Sequence, residues 1–314
     1  MSSRAPAGSA PELLAEVSRG ELIESRHRGH LVGLDPTGAV AFSVGDPDTL
    51  IYPRSSLKPI QAVAMLRHGA ELTDERLALA AASHSGEPDH VALVLAVLSA
   101  AGLSEEALAC PPALPLSGDR SLPPSRLLMN CSGKHAGMLT ACVAAGDPIE
   151  GYTDPAHPLQ RQVAATFADL AGGPVGPVAV DGCGAPVFGS ALVGLARSFQ
   201  RLVLAVDGPE HATAQAMRAH PWLVGGTGRD VTRLMQQVPG LIAKDGAEGV
   251  YAAALPDGSA VALKVEDGGD RARPPVLCQA LGLLGADLSK VEARLLAPPV
   301  LGGGRPVGAV RAAF

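Results

Sequence analysis

The chain has 314 residues, with 25 lysines and arginines against 31 aspartates and glutamates, so its formal charge is −6. This acidic balance argues against a nucleic-acid-binding protein, which normally carries a basic excess. A hydrophobic content of 47% with only 18% charged residues excludes an intrinsically disordered chain and is enough to build a full core.

No segment of the sequence predicts membrane insertion or secretion. The longest mostly apolar run, residues 91–103, is shorter than the ~18–20 residues that span a bilayer. Residues 1–14 lack the apolar core of a signal peptide. The 5 cysteines are an odd and sparse set, which favours reduced thiols over a disulfide framework. We therefore expect a cytoplasmic protein.

The predicted elements begin and end with strands and are helical in between. The N-terminus is rich in Ser, Ala and Pro, and we expect residues 1–20 to be flexible. Two β-prone runs, 31–34 and 39–44, flank a Pro/Gly turn and predict a hairpin. A second hairpin is predicted by the β-prone runs 249–255 and 259–265. Glycine and proline mark nearly every junction between the predicted helices, which are 56–68, 75–83, 89–102, 133–145, 158–171, 185–198, 209–219, 228–237 and 274–285.

This order predicts an α/β fold of the α+β type. A short strand pair at either end cannot cover an apolar face alone, so we expect one antiparallel sheet formed by residues 21–52 and 240–314. The central helical region, 53–239, would pack on that sheet within a single catalytic unit, 21–314. The same layout is typical of serine β-lactamases and transpeptidases, which is an analogy at the level of the fold.

The first candidate for catalysis is the pair Ser55 and Lys58. If a helix begins here, both lie on one face, and Ser55 occupies the helix N-terminus, where free amides and the helix dipole favour negative charge. A serine hydroxyl needs a nearby base, and a lysine can serve when burial or a second cation lowers its pKa. The alternative is a capping serine beside a surface lysine, because Ser-x-x-Lys is a short pattern.

The second candidate is Lys244-Asp245-Gly246. Serine β-lactamases combine Ser-x-x-Lys with a Lys-Thr-Gly-like tripeptide, which lies on the edge strand facing the Ser-x-x-Lys helix. In this chain the tripeptide has the matching place in the order of elements, although Asp replaces Thr. The alternative is a solvated lysine in a loop. The two features together favour a serine hydrolase.

The third candidate is a thiol set, Cys131 and Cys183. Cys183 lies between two glycines, and Cys131 lies two residues before a glycine. If a donor atom three residues after Cys131 bound the same metal ion as the two thiols, the ion would have three protein ligands. The fourth coordination position would stay open, which suits zinc. The alternative is a pair of plain buried thiols. A fourth candidate is the stretch Ala82–Glu87, which combines two hydroxyls, an imidazole and a carboxylate with a glycine. The alternative is that this stretch only forms a turn after a helix.

Together these segments resemble the type II, Rhizobium-like (thermolabile) L-asparaginase family. The resemblance is carried by six motifs in family order: Glu24–His30, Tyr52–Pro59, Ala82–Pro88, Asn130–His135, Asp181–Pro186 and Lys244–Tyr251. It implies a serine-β-lactamase/glutaminase-like fold, a homodimer, and hydrolysis of L-asparagine to L-aspartate and ammonia.

The resemblance also implies roles for individual residues. The implied catalytic residues are two Ser–Lys pairs and an arginine: Ser55 with Lys58, Ser83 with Lys244 (Ser85 being the alternative serine), and Arg54. The implied substrate-binding residues are Arg54, His135 and Asp181. One zinc ion per chain would be held by Cys131, Lys134 and Cys183.

Three other functions compete with this one. A glutaminase or broader amidase could use the same machinery, because Asn and Gln differ by one methylene, which is worth ~1–3 kcal/mol of discrimination. A penicillin-recognising hydrolase is disfavoured, since no signal peptide directs the chain to the cell wall. A non-catalytic metal or thiol sensor built on Cys131 and Cys183 would bind metal without hydrolysing amides.

Overall fold

The computed structural model of the protein describes residues 10–117 and 121–314. The strands have the following bounds: β1 (Glu12–Arg19), β2 (Leu22–Leu34), β3 (Val40–Val44), β4 (Leu50–Ile51), β5 (Val178–Val180), β6 (Pro186–Phe188), β7 (Ser190–Ala191), β8 (Ile242–Gly246), β9 (Val250–Ala254), β10 (Ala260–Val265), β11 (Pro299–Gly302) and β12 (Arg305–Ala312). The helices have the following bounds: α1 (Lys58–Arg67), α2 (Asp74–Ala80), α3 (Pro88–Ala100), α4 (Ser132–Ala145), α5 (Pro158–Ala171), α6 (Leu192–Leu204), α7 (Gly208–Ala219), α8 (Pro221–Val224), α9 (Asp230–Gln237), α10 (Arg273–Leu283) and α11 (Ala293–Leu296).

One antiparallel sheet unites the two ends of the chain. Its strand order is β11-β12-β1-β2-β10-β9-β8, and β3 also pairs with β2. The chain leaves this sheet after β3 and returns at β8, so most of the helices lie in the intervening sequence. The predicted α+β arrangement, with a sheet from both termini and a central helical region, is confirmed.

The flexible N-terminus predicted for residues 1–20 is corrected by strand β1. Residues 1–9 lie outside the described part of the chain, but Glu12–Arg19 pairs with both β2 and β12. Leu14, Ala15 and Val17 are buried in the core. This stretch became a strand because its apolar side chains are covered within the sheet, between β2, which follows it directly, and β12, near the other end of the chain.

Both predicted hairpins are present, as β2–β3 and β9–β10. The helix predicted at 185–198 is shifted, because residues 186–188 and 190–191 are short strands and α6 begins only at Leu192. The small pairs β4–β7 and β5–β6 therefore lie within or beside the region expected to be helical. Strands β11 and β12 were not predicted.

The central strands of the sheet are covered on both faces. Every residue of β9 is buried, and so are consecutive residues of β10. Because neighbouring side chains of a strand point to opposite faces, such a run requires cover on both sides. Helices α6 and α10 pack against these strands. No helix among residues 10–117 and 121–314 is long and apolar enough to cross a bilayer.

Candidate active site

The Ser55 segment is a 3₁₀ turn, Arg54–Leu57, that leads directly into α1. The turn packs against edge strand β8, where the Ser56 hydroxyl donates to the Lys244 carbonyl oxygen over 2.9 Å. Ser55 is half-buried, and among the described residues its hydroxyl has no hydrogen-bond partner. The nucleophile candidate is thus held at the start of a helix with its hydroxyl free for a ligand.

Lys58, the first residue of α1, is fully buried and contacts the second serine motif. Its Nζ donates to the Ala82 carbonyl oxygen over 2.6 Å and to Ser83 Oγ over 2.8 Å. The Ser–Lys contact made in this structure therefore joins Lys58 to Ser83. This differs from the pairing of Ser83 with Lys244 that the sequence suggested.

Ser83, His84 and Ser85 have distinct partners. The Ser85 hydroxyl donates to the Gly225 carbonyl oxygen over 2.9 Å, away from the lysines. His84 accepts from the Gly86 amide at Nδ1 and contacts Ser132 Oγ at Nε2 over 2.9 Å, while Ser132 donates to a backbone carbonyl. Burial holds the pKa of His84 well below its usual value, so His84 is a neutral side chain that stabilises this segment through its hydrogen bonds.

Lys244 and Asp245 lie on β8, the edge strand of the sheet. The Lys244 ammonium donates to the Asp245 carbonyl oxygen over 2.8 Å and also bonds the Asp245 carboxylate. The second carboxylate oxygen accepts from Arg229 Nη2 over 2.6 Å. The lysine predicted from the tripeptide is therefore fully buried on an edge strand rather than solvated in a loop.

The environment of Lys244 makes its amine easier to deprotonate. Burial, together with the nearby Lys58 and Arg229 cations, lowers the pKa of Lys244 to about 8, against the opposing pull of Asp245. Asp245 itself has a pKa well below its usual value, because the Lys244 and Arg229 cations outweigh its own burial. A substantial fraction of Lys244 is therefore neutral slightly above neutral pH.

Arg54 stands directly before Ser55 in a left-handed backbone conformation, with φ of 53°. Such a conformation is unfavourable for a residue with a side chain, and strain of this kind clusters at functional sites. Arg54 Nε donates to Asp181 Oδ1 over 2.8 Å, and Arg54 Nη1 lies 3.9 Å from Glu248 Oε1. The structure thus brings the two predicted substrate-binding residues Arg54 and Asp181 together at the edge of the site.

The thiol set converges although the two cysteines are far apart in sequence. Cys131 caps the N-terminus of α4, and Lys134, in the first turn, donates from Nζ to Cys183 Sγ over 3.0 Å. A hydrogen bond from Cys131 and the Lys134 ammonium hold the pKa of Cys183 well below its usual range, although burial opposes them. The same contact, with burial, raises the pKa of Cys131. Gly133 lets α4 pack closely on α2, because a Cβ there would lie 2.6 Å from Leu79 Cγ.

His135 is oriented by a tyrosine that the sequence did not single out. The Tyr152 hydroxyl accepts from the Ala109 amide over 2.9 Å and lies within hydrogen-bond distance, 2.6 Å, of His135 Nδ1. The other ring nitrogen, His135 Nε2, is buried without a hydrogen-bond partner in the described part of the chain. Burial lowers the pKa of His135, which agrees with a neutral ring.

The site is closed by its own side chains. Lys58, Lys134 and Lys244 are each at most 1% exposed. An open groove of about 700 Å³ lies between α3 and α8 around Trp222, and no predicted site residue lines it. Arg54, Ser55 and Asp181 are partly exposed members of the site.

Three residues make contacts that the sequence did not predict: Arg229, Asp245 and Tyr152. In the sequence, Asp245 stands out only because it replaces the Thr of a Lys-Thr-Gly tripeptide. Arg229 ends a glycine-rich stretch, Gly225–Arg229, which was a detectable signal of a close backbone contact. Nothing in the sequence around Tyr152 marks it. All five cysteines are buried and unpaired, as expected for reduced thiols.

The chain is similar to several solved structures. Solved structures similar to the chain include Mglu in its native form (15% identity, TM-score 0.44, covering 81% of this chain and 63% of Mglu). Others are a β-lactamase from Mycobacterium bovis (12% identity, TM-score 0.45, covering 82% of this chain and 94% of that one) and a Bacillus glutaminase (13% identity, TM-score 0.38, covering 81% and 90%). The chain thus spans a little under two thirds of Mglu.

No curated protein matches the chain. The family model described as L-asparaginase II matches residues 15–312. Since this match extends over nearly the whole sequence, the protein belongs to the L-asparaginase II family.

Proposed function

We propose that this amidohydrolase-family protein hydrolyses the side-chain amide of L-asparagine to L-aspartate and ammonia, with Ser55 as nucleophile. The observation that carries the proposal is the pair of fully buried lysines, Lys58 and Lys244, packed around Ser83 and the Ser55 turn. Buried ammonium groups are costly, so two of them beside serine hydroxyls indicate acid–base chemistry more than stability.

We infer the following steps, which the hydrogen bond between Lys58 and Ser83 supports. Ser55 attacks the amide carbon while Lys58 takes the hydroxyl proton, and the Ser83 hydroxyl, already bonded to Lys58, passes a proton on toward Lys244. The C–N bond then breaks, and ammonia leaves with a proton returned by the same path. Water finally cleaves the ester on Ser55. The Ser55 amide lies in the first turn, where helical N–H groups have no partner within the helix, so it can stabilise the oxyanion.

Substrate recognition is assigned to the exposed edge of the site. Arg54 is suited to the α-carboxylate of an amino acid, since a guanidinium binds carboxylates with two parallel hydrogen bonds. Asp181, which already accepts from Arg54, is suited to the α-ammonium group. His135, held at Nδ1 by Tyr152 and with a buried Nε2 that has no partner among the described residues, is suited to a hydrogen bond with the substrate.

Zinc is part of the proposal, and the donor set fits it. Lys134 Nζ lies 3.0 Å from Cys183 Sγ, and Cys131 is close enough to Cys183 for each thiol to shift the pKa of the other. The nearby His135 Nε2 is buried without a hydrogen-bond partner among the described residues. Among the described residues no three His, Cys, Asp or Glu side chains are arranged for a metal, so the site depends on Lys134 as a donor. Cys131, Lys134 and Cys183 would hold the ion after losing their protons. A bound zinc ion would supply Lewis acidity or a template for the substrate.

The metal is tested by measuring zinc in the purified protein by mass spectrometry. We expect about one ion per chain in the wild type and a loss of most of it in Cys183→Ser. Cys142→Ser is the matched control, because Cys142 is a buried thiol of α4 outside the cluster. Equal zinc in all three proteins would contradict the assigned ligands.

The substrate is tested by comparing kcat/KM for L-asparagine and L-glutamine. We expect a preference for L-asparagine within the ~1–3 kcal/mol that one methylene provides. A preference for L-glutamine would make the protein a glutaminase with the same machinery, and metal binding without hydrolysis of either amide would make it a sensor. The homodimer and the cytoplasmic location remain predictions.

A further inference from the structure

A glycine-rich segment, residues 224–229, runs along the second serine motif. The Val224 carbonyl oxygen accepts from the Ser83 amide over 3.0 Å, and the Gly225 carbonyl oxygen accepts from the Ser85 hydroxyl. A Cβ on Gly226 would lie 2.3 Å from Ser85 Oγ, so a larger residue at this position would push the two segments apart. The segment is therefore fitted to the serine motif at van der Waals distance.

This segment ends at Arg229, whose guanidinium bridges both halves of the proposed proton path. Nη2 donates to Asp245 Oδ2 over 2.6 Å, and Nη1 donates to the Ser83 carbonyl oxygen over 3.4 Å. The other Asp245 oxygen binds Lys244. One side chain thus contacts the residue that bears the second serine and the residue that holds the second lysine.

We propose that Arg229 is a positioning residue that fixes Lys244 relative to Ser83 and, by sharing the Asp245 carboxylate, keeps Lys244 free to accept a proton. The inference rests on the proposed function, in which Lys244 receives a proton by way of Ser83. Without Arg229, both Asp245 oxygens would be available to the Lys244 ammonium, and the strand would lose its tie to the serine motif.

The charges around Lys244 give the expected direction of change. The groups that face Lys244 or its partner Asp245 come from five elements or their borders: Asp245 on β8, Lys58 on α1, Arg229 and Asp230 at the start of α9, Tyr251 on β9 and Arg273 on α10. Removing Arg229 removes a repulsive cation and leaves Asp245 with one fewer competitor. Both changes stabilise the Lys244 ammonium and raise its pKa, which is about 8 in the intact site.

The test compares Arg229→Met and Arg229→Lys with Arg233→Met in the purified full-length enzyme. Arg233 lies on the same helix and pairs with Glu292, remote from the two lysines, so it is a matched control. We expect Arg229→Met to move the rising limb of the kcat/KM profile to higher pH by about one unit, with at least a tenfold lower value at pH 7. Arg229→Lys keeps the charge, so its limb should stay in place while kcat falls.

A second readout does not depend on turnover. The pH titration of the Lys244 side chain, followed by NMR of protein labelled with ¹³C-lysine, should shift upward in Arg229→Met and stay unchanged in Arg233→Met. An unchanged titration and an unchanged pH limb in Arg229→Met, with the wild type active, would overturn the positioning role. The positioning role would also be overturned if both Arg229 variants showed the same fall in melting temperature and kcat and no other change. A wild type without amidase activity would instead refute the proposed function.

Discussion

Replacing Lys58 by methionine should separate catalysis from stability. Methionine has a similar length and no charge, so it fills the same buried space in α1. The substitution removes two hydrogen bonds, to the Ala82 carbonyl oxygen and to Ser83 Oγ, and with them the proposed base. We expect a folded protein that no longer transfers the acyl group.

The magnitude follows from the contacts of Lys58. Leaving the buried Ala82 carbonyl oxygen unpaired costs about 1–3 kcal/mol, and Ser83 Oγ loses its hydrogen bond to Lys58. Removing a buried ammonium returns several kcal/mol of desolvation. The two effects largely cancel, so the free energy of unfolding should change by no more than about 2 kcal/mol, or about 5 °C in Tm. Loss of a proton-transfer group should cost at least about 10³-fold in kcat.

The assay is ammonia release from L-asparagine, measured with thermal unfolding of the same preparations. Lys290→Met is the control, because Lys290 is an exposed lysine outside the site. Activity within tenfold of the wild type in Lys58→Met would refute the role of Lys58 as base. A Tm lower by more than about 10 °C would instead show that the buried ammonium is mainly structural.

Three further predictions concern the neighbouring groups. If Lys244 accepts the proton, kcat/KM should rise as pH increases through about 8, because the neutral amine gains population there; a profile that falls through this range would mean that the ammonium is the active form. Tyr152→Phe removes the hydrogen bond between the Tyr152 hydroxyl and His135 Nδ1, so we expect a ten- to hundredfold loss of kcat/KM, and unchanged kinetics would show that this hold on His135 does not matter. Ser83→Ala should lower kcat by at least ~10²-fold, whereas Ser85→Ala should cost only about 1 kcal/mol of stability; the reverse ranking in parallel kinetics and melts would exchange their roles.

The sequence predicted those parts of the fold in which local pattern and tertiary environment agree. The hairpin β2–β3 has its turn chemistry and its β-prone runs in one short stretch, and it was found. Strand β1 was missed because the Ser-, Ala- and Pro-rich start of the chain hid its hairpin with β2, and its second partner, β12, lies at the opposite end of the chain. The start of α6 was misplaced because the preceding apolar residues form short strands whose partners are remote.

The site shows the same division. Ser55, Lys58 and Lys244 were identified because their spacing, and the resemblance to one family, marked them. Arg229 and Tyr152 were not, since their importance lies in contacts to residues 16 and 17 positions away, or further, that only the folded chain creates. The pairing of Lys58 with Ser83 is likewise a property of how α1 packs, which residue spacing does not determine.

The central claim is that Ser55 is the nucleophile of an L-asparagine amidohydrolase. Its most direct measurement is the rate of ammonia release from L-asparagine by the wild type, by Ser55→Ala and by Ser99→Ala, an exposed serine of α3. Ser55→Ala loses only a small, half-buried hydroxyl without a partner, so all three should unfold at similar temperatures. We expect release by the wild type and by Ser99→Ala, and none above background by Ser55→Ala. Near-normal release by Ser55→Ala, or no release by the wild type, would contradict the central claim.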